Sequence, residues 1–183
     1  MNHWQNNLAV KLLKRGGIIA YPTESVYGLG CDATNLNAIA QLLSIKNRPQ
    51  AKGLIILVSH IEQAFEFIAP LNQQQIETIK QPNIRATTWL LNKSSHLSPL
   101  LVGKHDKIAV RVTSNPVAKN LCQLLNKPLV STSCNLSSKP ASSHVSIVRN
   151  QMKMKLNLIL SGSCGGQLPS RIVDLQSSRI IRE

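Results

Sequence analysis

The sequence predicts an α/β fold in which helices flank a mixed sheet. Three observations carry that expectation. Short apolar runs that read as strands alternate with amphipathic stretches that read as helices along most of the 183 residues. The later strands follow one another without intervening helices, so the sheet cannot be wholly parallel. The longest apolar runs, such as residues 54–58, reach about five residues, far short of the roughly 20 that a membrane helix needs.

Residues 3–15 place Trp4, Leu8 and Leu12 at four-residue spacing, with Lys14 and Arg15 near the end and Gly16-Gly17 beyond. That is an amphipathic helix with a glycine stop. Residues 18–21 read as a buried strand that Pro22 ends, and residues 23–31 as a loop. Leu36, Ile39, Ala40 and Leu43 mark a second helix, with Asn35 as its cap. Residues 46–53 form a basic loop before a strand at 54–58. Ser59-His-Ile-Glu62 fits a capping box, in which hydroxyl and carboxylate satisfy two free backbone donors. The helix it opens runs through Ile68 and is stopped by Pro70. Residues 73–80 predict a further short helix, and 87–91 and 108–112 two strands. Ser114-Asn115-Pro116 opens a helix to Leu125, with proline near the first helical position. Residues 129–131 read as a strand, 143–150 as a helix and 156–160 as a strand. A Gly/Ser loop at 161–170 leads to short strands at 172–175 and 179–181.

Aromatic content is 3%, which argues against a base-stacking nucleic-acid platform. Net charge is +13 and uneven. Residues 1–70 hold six Lys/Arg against four acids; residues 71–183 hold fifteen against four. Such a field attracts polyanions: nucleotides, pyrophosphate or RNA. Cys31, Cys122, Cys134 and Cys164 form no Cys-x-x-Cys pair, and the five histidines have no metal-ligand spacing. No protein metal site is expected. With no secretory leader in view, reduced thiols and a cytoplasmic location are expected.

Three polar stretches at strand ends suggest one anion-binding cleft. Six of the eight residues from Ser131 to Ser138 are hydroxyls or amides, beyond what any core needs. Residues 17–31 repeat the grammar: an apolar strand, then Thr23, Ser25, Tyr27 and two glycines. Residues 46–53 supply Lys46, Arg48 and Lys52. Lys46 and Arg48 are two apart, so in an extended loop both side chains face one side. Arg111 sits inside the apolar stretch 108–112, where a charge is costly unless it meets an anion. With acids so scarce, a ligand carboxylate is one candidate partner, and the alternative is a sheet-edge arginine in water. Glu24, Asp32, Asp106 and Asp174 are the acids near these loops, too few for paired-carboxylate hydrolysis. Gly162-Ser-Cys-Gly-Gly-Gln167 has no following lysine, so it is not a P-loop. Transfer chemistry that works by positioning phosphates with cations and hydroxyls suits this inventory.

These residues resemble the YrdC/TsaC family of threonylcarbamoyl-AMP synthases in its short form. The matching pieces are Ala20-Tyr-Pro-Thr-Glu-Ser-Val-Tyr-Gly-Leu-Gly30, Lys46-x-Arg48-Pro49, Lys52-Gly-Leu-Ile55, Ala109-Val-Arg-Val-Thr113, Pro128-Leu-Val-Ser-Thr-Ser-Cys-Asn-Leu-Ser137 and Ser170-Arg-Ile-Val-Asp174, in family order. The resemblance implies a single YrdC-like domain over residues 1–183, without the additional C-terminal domain of longer homologues. It implies a twisted mixed sheet around a positively charged cavity. It implies that ATP, L-threonine and bicarbonate condense to threonylcarbamoyl-AMP with release of pyrophosphate, magnesium bridging the phosphates. Proteins of a threonylcarbamoyl-transfer complex would then modify adenosine 37 of ANN-reading tRNAs. By the same resemblance Lys46, Arg48, Thr88, Ser133, Asn135 and Arg182 fall to ATP, with Lys46 and Arg48 catalytic. Thr23, Arg111, Ser131 and Ser170 fall to threonine.

One segment departs from the family pattern. Where the family often has Trp-Pro-Gly-Pro before a threonine, this chain reads Asn83-Ile-Arg-Ala-Thr-Thr-Trp89. Pro and Gly dictate backbone angles that Ile and Arg do not reproduce, so a different turn is expected. A competing reading is an RNA-binding maturation factor, for double-stranded RNA or tRNA, without synthase activity. Few aromatics and no RNA-recognition motif weigh against sequence-specific readout. A carbamoyl-transfer enzyme of hydrogenase maturation is a third reading, but its zinc-type cysteines are missing.

Overall fold

The computed structural model describes residues 3–82, 84–136, 139–152 and 155–183. The helices are α1 (His3–Lys14), α2 (Leu36–Lys46), α3 (Gln73–Lys80), α4 (Pro99–Val102), α5 (Pro116–Leu125) and α6 (Val145–Met152). The strands are β1 (Ile19–Pro22), β2 (Tyr27–Gly30), β3 (Ile55–Val58), β4 (Thr87–Asn92), β5 (Lys107–Val112), β6 (Leu129–Ser133), β7 (Leu158–Ile159), β8 (Arg171–Asp174) and β9 (Ile180–Arg182). They join in one sheet of order β7-β1-β2-β6-β3-β5-β4-β8-β9. β1/β7, β3/β5 and β4/β8 pair in parallel, and the other neighbours are antiparallel, so the sheet is mixed as expected. Among the described residues no helix is long and apolar enough to cross a membrane.

Alternation along the strands sorts side chains onto two faces. Ile19 and Tyr21 join Leu57 and Leu129 in a cluster with Ala9 and Leu13 of α1 and Ala118, Leu121 and Leu125 of α5. Ile18, Ala20, Ile56, Val110 and Val130 point the other way, into a larger cluster with α2 and Val148 and Met152 of α6. On the first face the cover is incomplete. Ile55, Ala109 and Ser131 pair side by side, and all three line a cavity. That uncovered stretch of sheet is where a ligand has room.

Four expectations change. First, residues 23–31 are not all loop, because Tyr27–Gly30 forms a strand between β1 and β6. Its glycines hid it. A Cβ at Gly30 would drive into the Val130 carbonyl and lie 2.9 Å from the Tyr21 ring, so close strand packing requires glycine there. Second, Lys46 belongs to the last turn of α2 rather than to an extended loop. Asn47 turns the chain in the left-handed region at φ 48°, donating to the Ser44 carbonyl while Arg48 N donates to the Leu43 carbonyl. Third, residues 61–67 form a 3-10 helix without the expected capping box. The buried residues Ile61, Ala64 and Phe67 recur every three positions, the period of that tighter helix. Ser59 instead bonds Gln63 Oε1 through its N–H (2.8 Å) and hydroxyl (3.0 Å), while Glu62 pairs with Lys80. The reciprocal box stands at Asn72 and Gln75, opening α3. Fourth, α4, capped by Ser98, is an element the sequence pattern did not reveal.

Candidate functional site

The cavity has a volume of about 840 Å³. It takes residues from the β1–β2 turn, the segment after α2, β3 to β6, β8 and β9. Thr23, Arg48, Arg111, Ser131, Ser133, Ser170 and Arg182, all expected site residues, line it. Lys52 and Lys107 line it too, against Asp106 as the one acid among the described lining residues. Lys46, Thr88 and Asn135 are not among its lining residues.

Arg111 is held by a network. Its Nε donates to Thr88 Oγ1 at 2.9 Å and its Nη2 to Ser170 Oγ at 2.6 Å. The two hydroxyls bond each other at 2.9 Å. Arg182 Nη2 donates to Ser170 Oγ at 3.2 Å and to the Ser170 carbonyl at 2.7 Å. Ser170 Oγ therefore accepts from two guanidinium groups, and its own proton is left for Thr88. Thr88 is 0% exposed, and its hydroxyl holds the Arg111 Nε. The sequence offered Arg111 a ligand carboxylate or open water as its surroundings; it is instead buried, and a protein carboxylate, Glu24 Oε2, lies 3.6 Å from Nη1. The residue types around 24 gave no sign of this; only β5 lying beside the turn after β1 reveals it.

Lys46 is 4% exposed. Its ammonium donates to the Ser133 carbonyl (2.6 Å), the Asn135 carbonyl (3.1 Å) and Asn135 Oδ1 (2.8 Å), with Ser133 Oγ at 3.3 Å. It thus ties the end of α2 to the loop after β6. Burial, and then the neighbouring Arg48 charge, pull its pKa down to about 8. Arg48 donates to the Gly53 carbonyl through Nη2 (2.9 Å) and Nε (3.2 Å). That uses two of its five N–H groups, and Arg48 lines the cavity. Thr23 donates its hydroxyl to the Val26 carbonyl at 2.7 Å. Ser137 and Ser138, the end of the hydroxyl run, lie outside the described residues, as does Asn83.

The altered segment after residue 83 has its own anchor: Arg85 donates to the Pro169 carbonyl at 2.7 and 3.1 Å. This fixes the turn before Thr88 against the residue before Ser170. Asp174 pairs with Lys107 and accepts from the Gln176 and Ser177 N–H groups, a structural role. All four cysteines are free thiols. Among the described residues no group of three or more His, Cys, Asp or Glu is placed to hold a metal.

Residues 11–183 match the Sua5/YciO/YrdC family model, whose description reads telomere recombination. A protein of Cellvibrio japonicus named threonylcarbamoyl-AMP synthase is 37% identical over 177 residues, covering 96% of this chain and 94% of that protein. One of the same name from Vibrio campbellii is 39% identical over 177 residues, covering 95% and 96%. Among solved structures, P. abyssi Sua5 complexed with L-threonine superposes with a TM-score of 0.87 at 28% identity, covering 96% of this chain. The present chain spans 52% of that protein's length.

Proposed function

The chain belongs to the Sua5/YciO/YrdC family, and on that premise we propose that it is a threonylcarbamoyl-AMP synthase. It condenses L-threonine, bicarbonate and ATP to threonylcarbamoyl-AMP and releases pyrophosphate. The observation that carries the reading is Arg111: a buried guanidinium, held by Thr88 and Ser170, that opens on a cavity edged by Arg48, Lys52 and Arg182.

In this reading the threonine carboxylate meets Arg111 in a bidentate fork, with Thr23, Ser131 and Ser170 around it. The triphosphate lies toward Arg48, Ser133 and Arg182. Lys46 reaches it by exchanging one loop acceptor for a phosphate oxygen, with Asn135 keeping the loop in place. The threonine nitrogen attacks the bicarbonate carbon, whose C–OH bond breaks so that water leaves with a proton from the amine. An oxygen of the resulting carbamate then attacks the α-phosphorus, and the bond from that phosphorus to the β-phosphate oxygen breaks. Fixed cations stabilise the charge that gathers as pyrophosphate leaves. Asp106 is the one carboxylate among the described lining residues, so a protein-held magnesium does not fit these residues. In this reading the ion travels with the phosphate oxygens, and no step is assigned to it. The product passes to threonylcarbamoyl-transfer proteins acting on tRNA, in the cytoplasm.

The test is pyrophosphate release from ATP and bicarbonate with threonine, serine or valine. A site built to hydrogen-bond a hydroxyl rejects the analogue that lacks it by up to about 10⁴, whereas a missing methyl costs roughly 10–200-fold. Valine is therefore a far poorer substrate than serine, and equal rates would overturn the pocket. Arg111→Lys loses the planar fork and fails with threonine; a full rate in that variant would remove Arg111 from the site.

A further inference from the structure

Glu24 is a buried acid without a part in the reading above. It is 3% exposed. Its Oε1 accepts from the Thr113 hydroxyl (2.6 Å), Ser114 N (2.9 Å) and Asn115 N (3.2 Å), at the start of α5. Its Oε2 is buried, and among the described residues no hydrogen-bond donor reaches it. What faces that oxygen is Arg111 Nη1 at 3.6 Å. Burial pushes the carboxyl pKa up, but the Thr113 hydroxyl, the Arg111 charge and the backbone donors outweigh it, and the net lies below the usual carboxylate value. Glu24 is therefore an anion at neutral pH. Its main chain is fastened too, because Gln167 N donates to the Glu24 carbonyl at 2.9 Å and Gly165 N to the Thr23 carbonyl at 3.0 Å.

Arg111 has five N–H groups. Nε serves Thr88, one proton of Nη2 serves Ser170, and Nη1 faces Glu24 Oε2 as an ion pair at 3.6 Å, without a hydrogen bond. At least one N–H on each Nη remains. Hydroxyls hold the guanidinium along its Nε side only, and nothing among them stops it turning about that side. A fixed negative charge at Nη1 does.

We propose that Glu24 is a positioning residue for the synthase reaction: pinned at Oε1 by the start of α5, it locks the Arg111 plane so that one N–H on each Nη faces the substrate carboxylate as a fork. The Glu24 side chain does not line the cavity, so it acts through Arg111 and does not touch substrate. The inference rests on the assignment of Arg111 to the threonine carboxylate. Asp at this position keeps the charge but is one methylene short, so it cannot both reach the α5 donors and face Nη1.

The experiment is a double-mutant cycle read by pyrophosphate release, with threonine varied at saturating ATP and bicarbonate, and thermal melting of each variant alongside. Glu24→Gln is expected to raise the threonine KM by about 10- to 100-fold, the scale of losing a group that orients a ligand-holding residue, while the ATP KM stays near wild type. Glu24→Asp does not rescue it. In an Arg111→Lys background the same change adds little, because the group it positions is gone. If Arg111→Lys is too slow to assay, the cycle is read on threonine binding by calorimetry. An unchanged threonine KM in Glu24→Gln, with Arg111→Lys impaired, overturns the positioning role. So does an equal rise in both backgrounds, which would mean a route other than Arg111. A full rate in Arg111→Lys alone removes the underlying pocket instead, so the two failures are distinguishable. Should Glu24→Gln fail to fold, Thr113→Val keeps the carboxylate and removes one anchor. It is expected to raise the threonine KM severalfold, and an unchanged value there also overturns the proposal.

Discussion

At the scale of single residues, a side chain's chemistry was legible where its type is unusual for its setting. Lys46, Arg48 and Arg111 stand out because cations beside apolar strands need partners. Glu24 did not stand out, because a carboxylate after a proline and a threonine reads as an ordinary loop acid. Its meaning comes from β5 and the start of α5, about 90 residues away. The Lys46 assignment carries a pH prediction with a definite sign. Its pKa of about 8 lies below the ordinary lysine value, so the ammonium that would meet phosphate is present below about 8 and lost above it. Accordingly kcat/KM for ATP falls as pH rises through about 8. A bound triphosphate favours the charged form, so the kcat limb lies at higher pH. Lys46→Met should remove that limb along with about ten- to a thousandfold of turnover, the scale of losing one preorganised charge contact. A limb near 8 that survives in Lys46→Met would belong to another group.

At the scale of elements, most strands and helices followed from apolar runs and four-residue spacing. The exceptions share a cause: a local pattern reports burial on one element but not the approach of a second backbone. β2 is half glycine, and its strand character comes from neighbours that leave no space for Cβ atoms. The end of α2 was misplaced because the helix runs on through Lys46 and stops at an asparagine in the left-handed region, where the sequence reading began the basic loop at residue 46. These elements make their own predictions. Gly30→Ala forces a methyl group against the Val130 carbonyl, which is backbone and cannot step aside. A loss of about 1–3 kcal/mol or more is expected, read from the denaturant midpoint. β6 carries Ser131 and Ser133, so activity should fall even where the variant is still folded. Asn115→Ala, which removes the acceptor for Val117 N and Ala118 N, should cost about 0.5–2 kcal/mol on the same measurement. If Gly30→Ala melts like wild type, the close packing of β2 on β6 is wrong.

At the scale of the whole molecule, the strand order was beyond the sequence reading. β6 sits between β2 and β3, and β8 beside β4, through pairings of chain segments about 75 or more residues apart. The cavity depends on those pairings, since one sheet face is covered by α1 and α5 at one end only. It gathers Arg48, Lys52, Arg111 and Arg182 from distant parts of a chain of net charge +13, with Glu24 and Asp174 offsetting Arg111 and Lys107. Cations brought together by folding repel, and an anionic ligand relieves that repulsion in the folded state alone. Ligands should therefore raise the melting temperature. At a hundredfold excess over Kd, one ligand adds about 2.7 kcal/mol. For a chain of this size each kcal/mol is worth roughly 2–4 °C, so a shift of about 5–11 °C is expected. The measurement uses a non-hydrolysable ATP analogue and L-threonine with bicarbonate, separately and together, so that turnover does not consume them. Arg111→Lys should keep the nucleotide shift and lose the threonine shift. A protein that only binds RNA would show neither shift, and instead a shift with RNA that fades steeply with salt. That outcome would replace the synthase reading with the RNA-binding one. The pairing of a nucleotide shift with an Arg111-dependent threonine shift would leave the cavity as a site where both substrates meet.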